Sequence, residues 1–102
     1  MSNKTSSNNL FFQSNALDKF KDLLKHVQPE IQEIKSNDMW VFQWKGEQVG
    51  LFNTYSNAVQ LIIFSKRGVR KEIEYDYMHG EEINWRQIEL RVKILMQQLT
   101  GL

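Results

Sequence analysis

Apolar residues recur along this chain at two different periods, and the period changes twice. Leu17, Phe20, Leu23, Leu24 and Val27 fall three or four apart, the spacing that gathers side chains along one face of a helix. Asn15 stands just ahead as a cap, and Asp18 brings a carboxylate into the positive first turn. Gln28-Pro29 interrupts the stripe, because the residue before a proline avoids the α region. Pro29 suits the first position of a new helix. With Ile31 and Ile34 three apart, the pattern predicts a second short helix or a kinked continuation over 30–35, stopped at Ser36-Asn37-Asp38.

From 39 to 77 the period becomes two. Trp40, Phe42 and Trp44 share one face of a strand, and Met39, Val41 and Gln43 share the other. Gly46-Glu47 is the expected hairpin turn, followed by a strand over 48–55 with Val49 and Leu51 opposite Phe52. Ser56-Asn57 turns the chain into a third strand over 58–65. There Val59, Leu61 and Ile63 alternate with Ile62 and Phe64, so both faces are apolar, as in a strand covered on two sides. Arg67-Gly68 turns it again. In the fourth strand Val69, Ile73, Tyr75 and Tyr77 face one way, with Lys71 between them, and Arg70, Glu72, Glu74 and Asp76 face the other.

After Met78-His79-Gly80 the helical period returns. Asn84 and Gln87 make a capping-box pattern, flanked by Ile83 and Ile88 at staple positions. Ile88, Val92, Leu95 and Leu99 form the buried stripe, joined by Trp85 and Met96, and Gly101 ends the helix. Four strands with short turns make an antiparallel meander, and two amphipathic helices have only that sheet to bury against. The predicted fold is α+β with the order α(α)ββββα: a four-stranded antiparallel meander with the N- and C-terminal helices packed on one face.

Ahead of this domain, residues 1–9 carry no apolar side chain after Met1, and residues 1–16 are read as a mobile leader. Asn9-Leu10-Phe11-Phe12-Gln13-Ser14-Asn15-Ala16 resembles the protease-cleavable linker of common expression vectors. Asn8 stands where glutamate is usual, and Phe11 where tyrosine is usual. The other reading is a native tail whose Leu10, Phe11 and Phe12 dock on the domain or on a second copy. Residues 17–102 make one domain, as 102 residues in all would suggest.

Composition then removes chemistry. Cysteine is absent, so disulfides, thiolate metal sites and cysteine nucleophiles are excluded. Thirteen basic against 12 acidic side chains leave a net charge of +1, which points to no class of partner. No apolar run is long enough for a membrane span and no secretory leader is recognisable, so the expected location is cytoplasmic with no membrane contact.

The remaining candidates are few. His26 and His79 are the only histidines, and His79 with Glu81 and Glu82 could hold a divalent ion only with help from elsewhere. Their bland account is a solvated loop before a helix. Ser56, Ser65 and Thr54 have no evident His–Asp pairing, and no phosphate loop exists. Glu72, Glu74 and Asp76 align carboxylates about 7 Å apart on one strand face, a spacing compatible with a metal or with acid–base work. As an outer sheet face they need no such role. Lys66, Arg67, Arg70 and Lys71 concentrate positive charge at a hairpin tip that could follow a phosphate backbone, or could simply guard a sheet edge. The acidic residues that follow work against nucleic acid. No cofactor is implied.

Finally, the apolar strand residues exceed what one covered face requires. Two helices cover one side, and surplus apolar surface calls for a partner or a second copy. Trp40, Phe42, Trp44, Phe52, Ile62 and Phe64 are the candidate interface residues. The expected function is a small, non-enzymatic protein–protein interaction or self-assembling module, acting as a homodimer and open to an unidentified protein partner. The alternative is a nucleic-acid-binding protein using 66–71 and the strand aromatics, and the remote one is a metal-dependent enzyme using the 72–76 carboxylates.

Overall fold

A computed structural model of the protein describes residues 2–64 and 71–100, with side chains from Ser14 onward. Helix α1 spans Ser2–Val27. Five strands follow, β1 (Gln32–Ser36), β2 (Met39–Trp44), β3 (Glu47–Thr54), β4 (Ala58–Phe64) and β5 (Lys71–Met78), and helix α2 spans Trp85–Thr100. The strands form one antiparallel sheet in the order β1-β2-β3-β4-β5. The α+β class and the flanking helices match the expectation; the strand number is five rather than four.

The extra strand replaces the expected second helix. Ile31 and Ile34 are three apart, which in a helix would put them on one face. Here Ile31 is buried at 5% exposure and Ile34 is 45% exposed, because in extended backbone an odd separation sends two side chains to opposite faces. A segment this short cannot hold a helix by itself. Paired with β2 from Gln32↔Gln43 to Ser36↔Met39, it gains a ladder instead. Asn37 turns the hairpin at a φ of 55°, a conformation that asparagine adopts more readily than most residues.

Two other boundaries differ from expectation. Helix α1 begins at Ser2 rather than at Asn15. Once the packed turns around Phe20 and Leu24 exist, the costly nucleus is already formed, and each further residue gains one hydrogen bond as it is fixed. At the other end Gln28 N–H donates to the Leu24 carbonyl at 2.9 Å and Glu30 N–H to Gln28 Oε1 at 3.2 Å, closing the helix as Pro29 approaches. The β2–β3 turn is Lys45-Gly46, one residue earlier than expected, with φ of 50° and 80°. Positive φ at both central residues is the geometry that matches the twist of the flanking strands.

Both helices lie on one face of the sheet and share one core with it. Phe20 and Leu24 of α1 and Ile88, Val92 and Leu95 of α2 meet Phe42, Phe52, Val59, Leu61 and Ile63 of the sheet. The Phe20 ring stands edge-on to Phe42, centroids 5.4 Å apart, and 6.3 Å from Phe52. Gly50 lies beneath it: a Cβ there would sit 3.2 Å from Phe20 Cζ. Helix α2 opens as expected, with Gln87 N–H donating to Asn84 Oδ1 at 3.1 Å. Asn84→Ala should therefore lower unfolding free energy by about 0.5–2 kcal/mol. Denaturant unfolding checks this, and an unchanged midpoint would mean that the cap contributes nothing.

Candidate functional site

The sheet face turned away from the helices is where a functional surface has to be sought. The strand register brings Ile34, Val41, Leu51 and Ile62 into one row across β1 to β4, ending at Glu74 on β5. Ile62 and Phe64 are only 8% and 9% exposed, yet neither belongs to the core cluster that the helices cover. Ile34 stays open at the far end of the row. The next row, Met39, Asn53, Gln60 and Asp76, is mostly polar. The helix-free face thus carries an apolar band running from the centre of the sheet to the β1 edge.

Of the aromatic and aliphatic residues expected at an interface, only Ile62 and Phe64 lie on this side. Phe42 and Phe52 are fully buried core, Trp44 is buried with them, and Trp40 is half-buried against the same cluster. These four are corrected from interface to core. Alternation puts Trp40, Phe42 and Trp44 on a common face, but that face is the one under α1 and α2. Trp40 stands edge-on to Phe52 at 5.7 Å, and the Lys35 ammonium lies over its ring, 5.4 Å from the centroid.

Toward β5 the same face becomes a polar network. Asn53 Nδ2 donates to Tyr55 Oη at 3.2 Å, and Tyr55 donates on to Gln60 Oε1 at 3.0 Å. Gln60 Nε2 donates to Glu74 Oε2. Lys71 Nζ meets Glu74 Oε1 at 2.7 Å. This last contact departs from strict alternation, which sends Lys71 to the side opposite the carboxylates. The β4–β5 register shifts between Ile63 and Phe64, so that Ile63 faces Ile73 but Phe64 faces Lys71. One residue is bulged out, and a bulge moves everything beyond it to the other face. The hydrogen bond and the charge of Glu74 hold the Lys71 ammonium above the ordinary lysine range.

The carboxylate row is accordingly an exposed outer strand face, with Glu74 engaged by an amide and an ammonium. Among the described residues no group of three His, Cys, Asp or Glu is placed to hold a metal ion. Lys66, Arg67 and Arg70 of the basic hairpin lie outside the described residues; Lys71 is inside and ion-paired. Among those residues no helix is long and apolar enough to cross a membrane.

A groove on the helical side escaped the sequence reading. Lys19, Asp22, Leu23 and His26 of α1 line a cavity of about 410 Å³ together with Trp85. Lys19 and Trp85 also line a second one of about 250 Å³, with Glu81, Glu82 and Ile83. The sequence signal was there, since positions 19, 22, 23 and 26 recur at helical spacing beside the apolar stripe. His79, half-buried in the turn after β5, lines neither cavity. On the sheet beneath the helices, burial pushes the Tyr75 phenol up, while the Arg91 guanidinium pulls it the other way.

No protein-family model matches the chain, and no curated protein and no solved structure matches it significantly.

Proposed function

We propose that this protein is a non-enzymatic contact module that works by self-association. The observation that supports it is the band Ile34–Val41–Leu51–Ile62, with Phe64 nearby. It lies on the sheet face that neither helix covers and runs out to an open edge. On this face Ile34 is exposed and Val41 and Leu51 are half-buried, and burying what they still expose against another molecule recovers about 25 cal/mol per Å². A second copy is the partner that is always present with the chain, and a two-fold contact lets one patch serve both sides. No constellation in the described residues competes as a catalytic centre. The row of carboxylates is solvated and tied into a local network, and the basic hairpin's Lys71 is neutralised by Glu74.

Light scattering across a concentration series tests the reading. The expected mass rises toward twice 12.2 kDa as concentration reaches the upper micromolar range. A mass that stays at that of one chain throughout would overturn it.

A further inference from the structure

We propose that two copies join edge to edge through β1, in one register centred on Ile34, to make a continuous ten-stranded sheet from two five-stranded ones. The proposal rests on the self-association reading above and places the contact at the open end of that band, Ile34 on the β1 edge, with Val41, Leu51 and Ile62 remaining on the joined face. Strand β1 is an outer strand of the sheet, and all five of its residues are exposed. An edge of this kind offers unpaired N–H and C=O groups to any extended segment that fits.

The side chains decide which segment fits. Strand β1 reads Gln32-Glu33-Ile34-Lys35-Ser36. Laid antiparallel on itself about Ile34, it sets Glu33 opposite Lys35 of the second copy, and Lys35 opposite its Glu33. Ile34 meets Ile34, and Gln32 meets Ser36. Shifting by one same-face step in either direction destroys this. One shift brings Glu33 onto Glu33, and the other brings Lys35 onto Lys35. Directly opposed like charges destabilise a strand pair, and opposite charges stabilise it. The sequence of β1 is therefore complementary to itself in a single register.

The three-dimensional setting agrees with that register. Glu33 and Lys35 stand on the helix side, opposite Phe42 and Trp40 respectively. Glu33 is already held by Lys21 of α1 at 3.0 Å through Oε1. A carboxylate has a second oxygen, so Glu33 can accept from a second ammonium without losing the first. On the other side Ile34 is the open end of the apolar row. A two-fold axis through the seam, normal to the sheet, would join two such rows end to end and keep all four helices on one side. Ile34 would then be covered by its counterpart.

The opposite edge of the sheet behaves differently. Strand β5 carries Glu72, Glu74 and Asp76 at alternate positions. Self-pairing that keeps the faces of Glu74 and Asp76 matched brings carboxylates opposite carboxylates, and Lys71, which the bulge turns to the same face, is already held by Glu74. Pairing β5 with β1 would put those acids opposite Gln32, Ile34 and Ser36, none of which is a cation. Among the described residues, β1 is the edge whose sequence matches itself in this way.

Because the chain has no cysteine, Ile34→Cys places one thiol at the proposed axis. Opposed residues in an antiparallel pair lie about 4.5–5.5 Å apart at Cα, within disulfide range. Mild oxidation should link most of this variant into a dimer of twice 12.2 kDa. Ser36→Cys is the control: two such residues would be about 13 Å apart and should not link. Lys35→Glu sets glutamates opposite each other at two symmetric sites and should weaken dimerisation about tenfold, read by sedimentation. The triple change Lys21→Glu, Glu33→Lys and Lys35→Glu reverses every charge of the seam, keeps each pair opposite in sign and should recover dimerisation to within about threefold of the parent. A role of these residues in monomer stability alone would not produce that recovery. If the parent dimerises but the Ile34→Cys variant fails to link and Lys35→Glu leaves dimerisation unchanged, the seam is wrong and self-association survives through another surface. If the parent stays a single chain at every concentration, both readings fall.

Discussion

Phe20→Ala should lower the free energy of unfolding by about 3–5 kcal/mol, the range for removing a fully buried aromatic ring. Phe20 of α1 is fully buried against the sheet. It meets Phe42 edge-on and Phe52 at a tilt, and its ring tip lies over Gly50. Gly50 has no side chain of its own with which to refill the space. Domains of this size are stable by about 5–15 kcal/mol in total, so much of the margin would go. Urea unfolding followed by far-ultraviolet circular dichroism measures it. A loss below about 1 kcal/mol would mean that α1 is not seated on the sheet through this residue.

Leu95→Ala should cost about 2–5 kcal/mol for the same reason on the other helix. Leu95 is fully buried between Val92 and Met96 of the α2 stripe and packs with the cluster over β3 and β4. Leu90 on the same helix is largely exposed and provides the contrast. Leu90→Ala should change stability by no more than about 0.5 kcal/mol. Equal costs at the two positions, or a reversed order, would mean that α2 presents its other face to the sheet.

Parts of this structure are legible in the sequence wherever the deciding interaction is local. The α2 start is such a case, since Asn84 and Gln87 settle it within one turn. The strand alternation of Trp40, Phe42 and Trp44 is equally plain. What alternation does not say is which face the helices take, and so the four residues Trp40, Phe42, Trp44 and Phe52 are expected outward when they belong inside. Their fate depends on Phe20 finding room at Gly50, a contact 30 residues away in the chain. Ile31 and Ile34 are ambiguous for another reason. Spacing of three fits a helix face, and it fits a strand whose two ends face opposite ways. Only the presence of β2 as a partner decides between them. Lys71 is misplaced by alternation because a single bulged residue at the start of β5 reverses the faces, and strand propensities carry no mark of it. The surplus of apolar residues in β4 does signal a two-sided strand, and it is Ile62 and Phe64 that form the second side.

The hollow above Gly50 has a consequence for how the molecule holds its shape. A helix lying on a sheet of branched and aromatic side chains can slide along its own axis by a turn at modest cost if the surface below is uniform. Here the surface has a notch, one residue wide, and the Phe20 ring occupies it. Moving α1 by one turn in either direction would carry that ring onto positions where a Cβ stands in the way. The notch therefore acts as a detent, fixing the helix along its length as well as against the sheet. The same detent holds Lys21, the next residue of α1, within reach of Glu33, so the placement of one ring under the helix sets the electrostatics at the rim of the sheet.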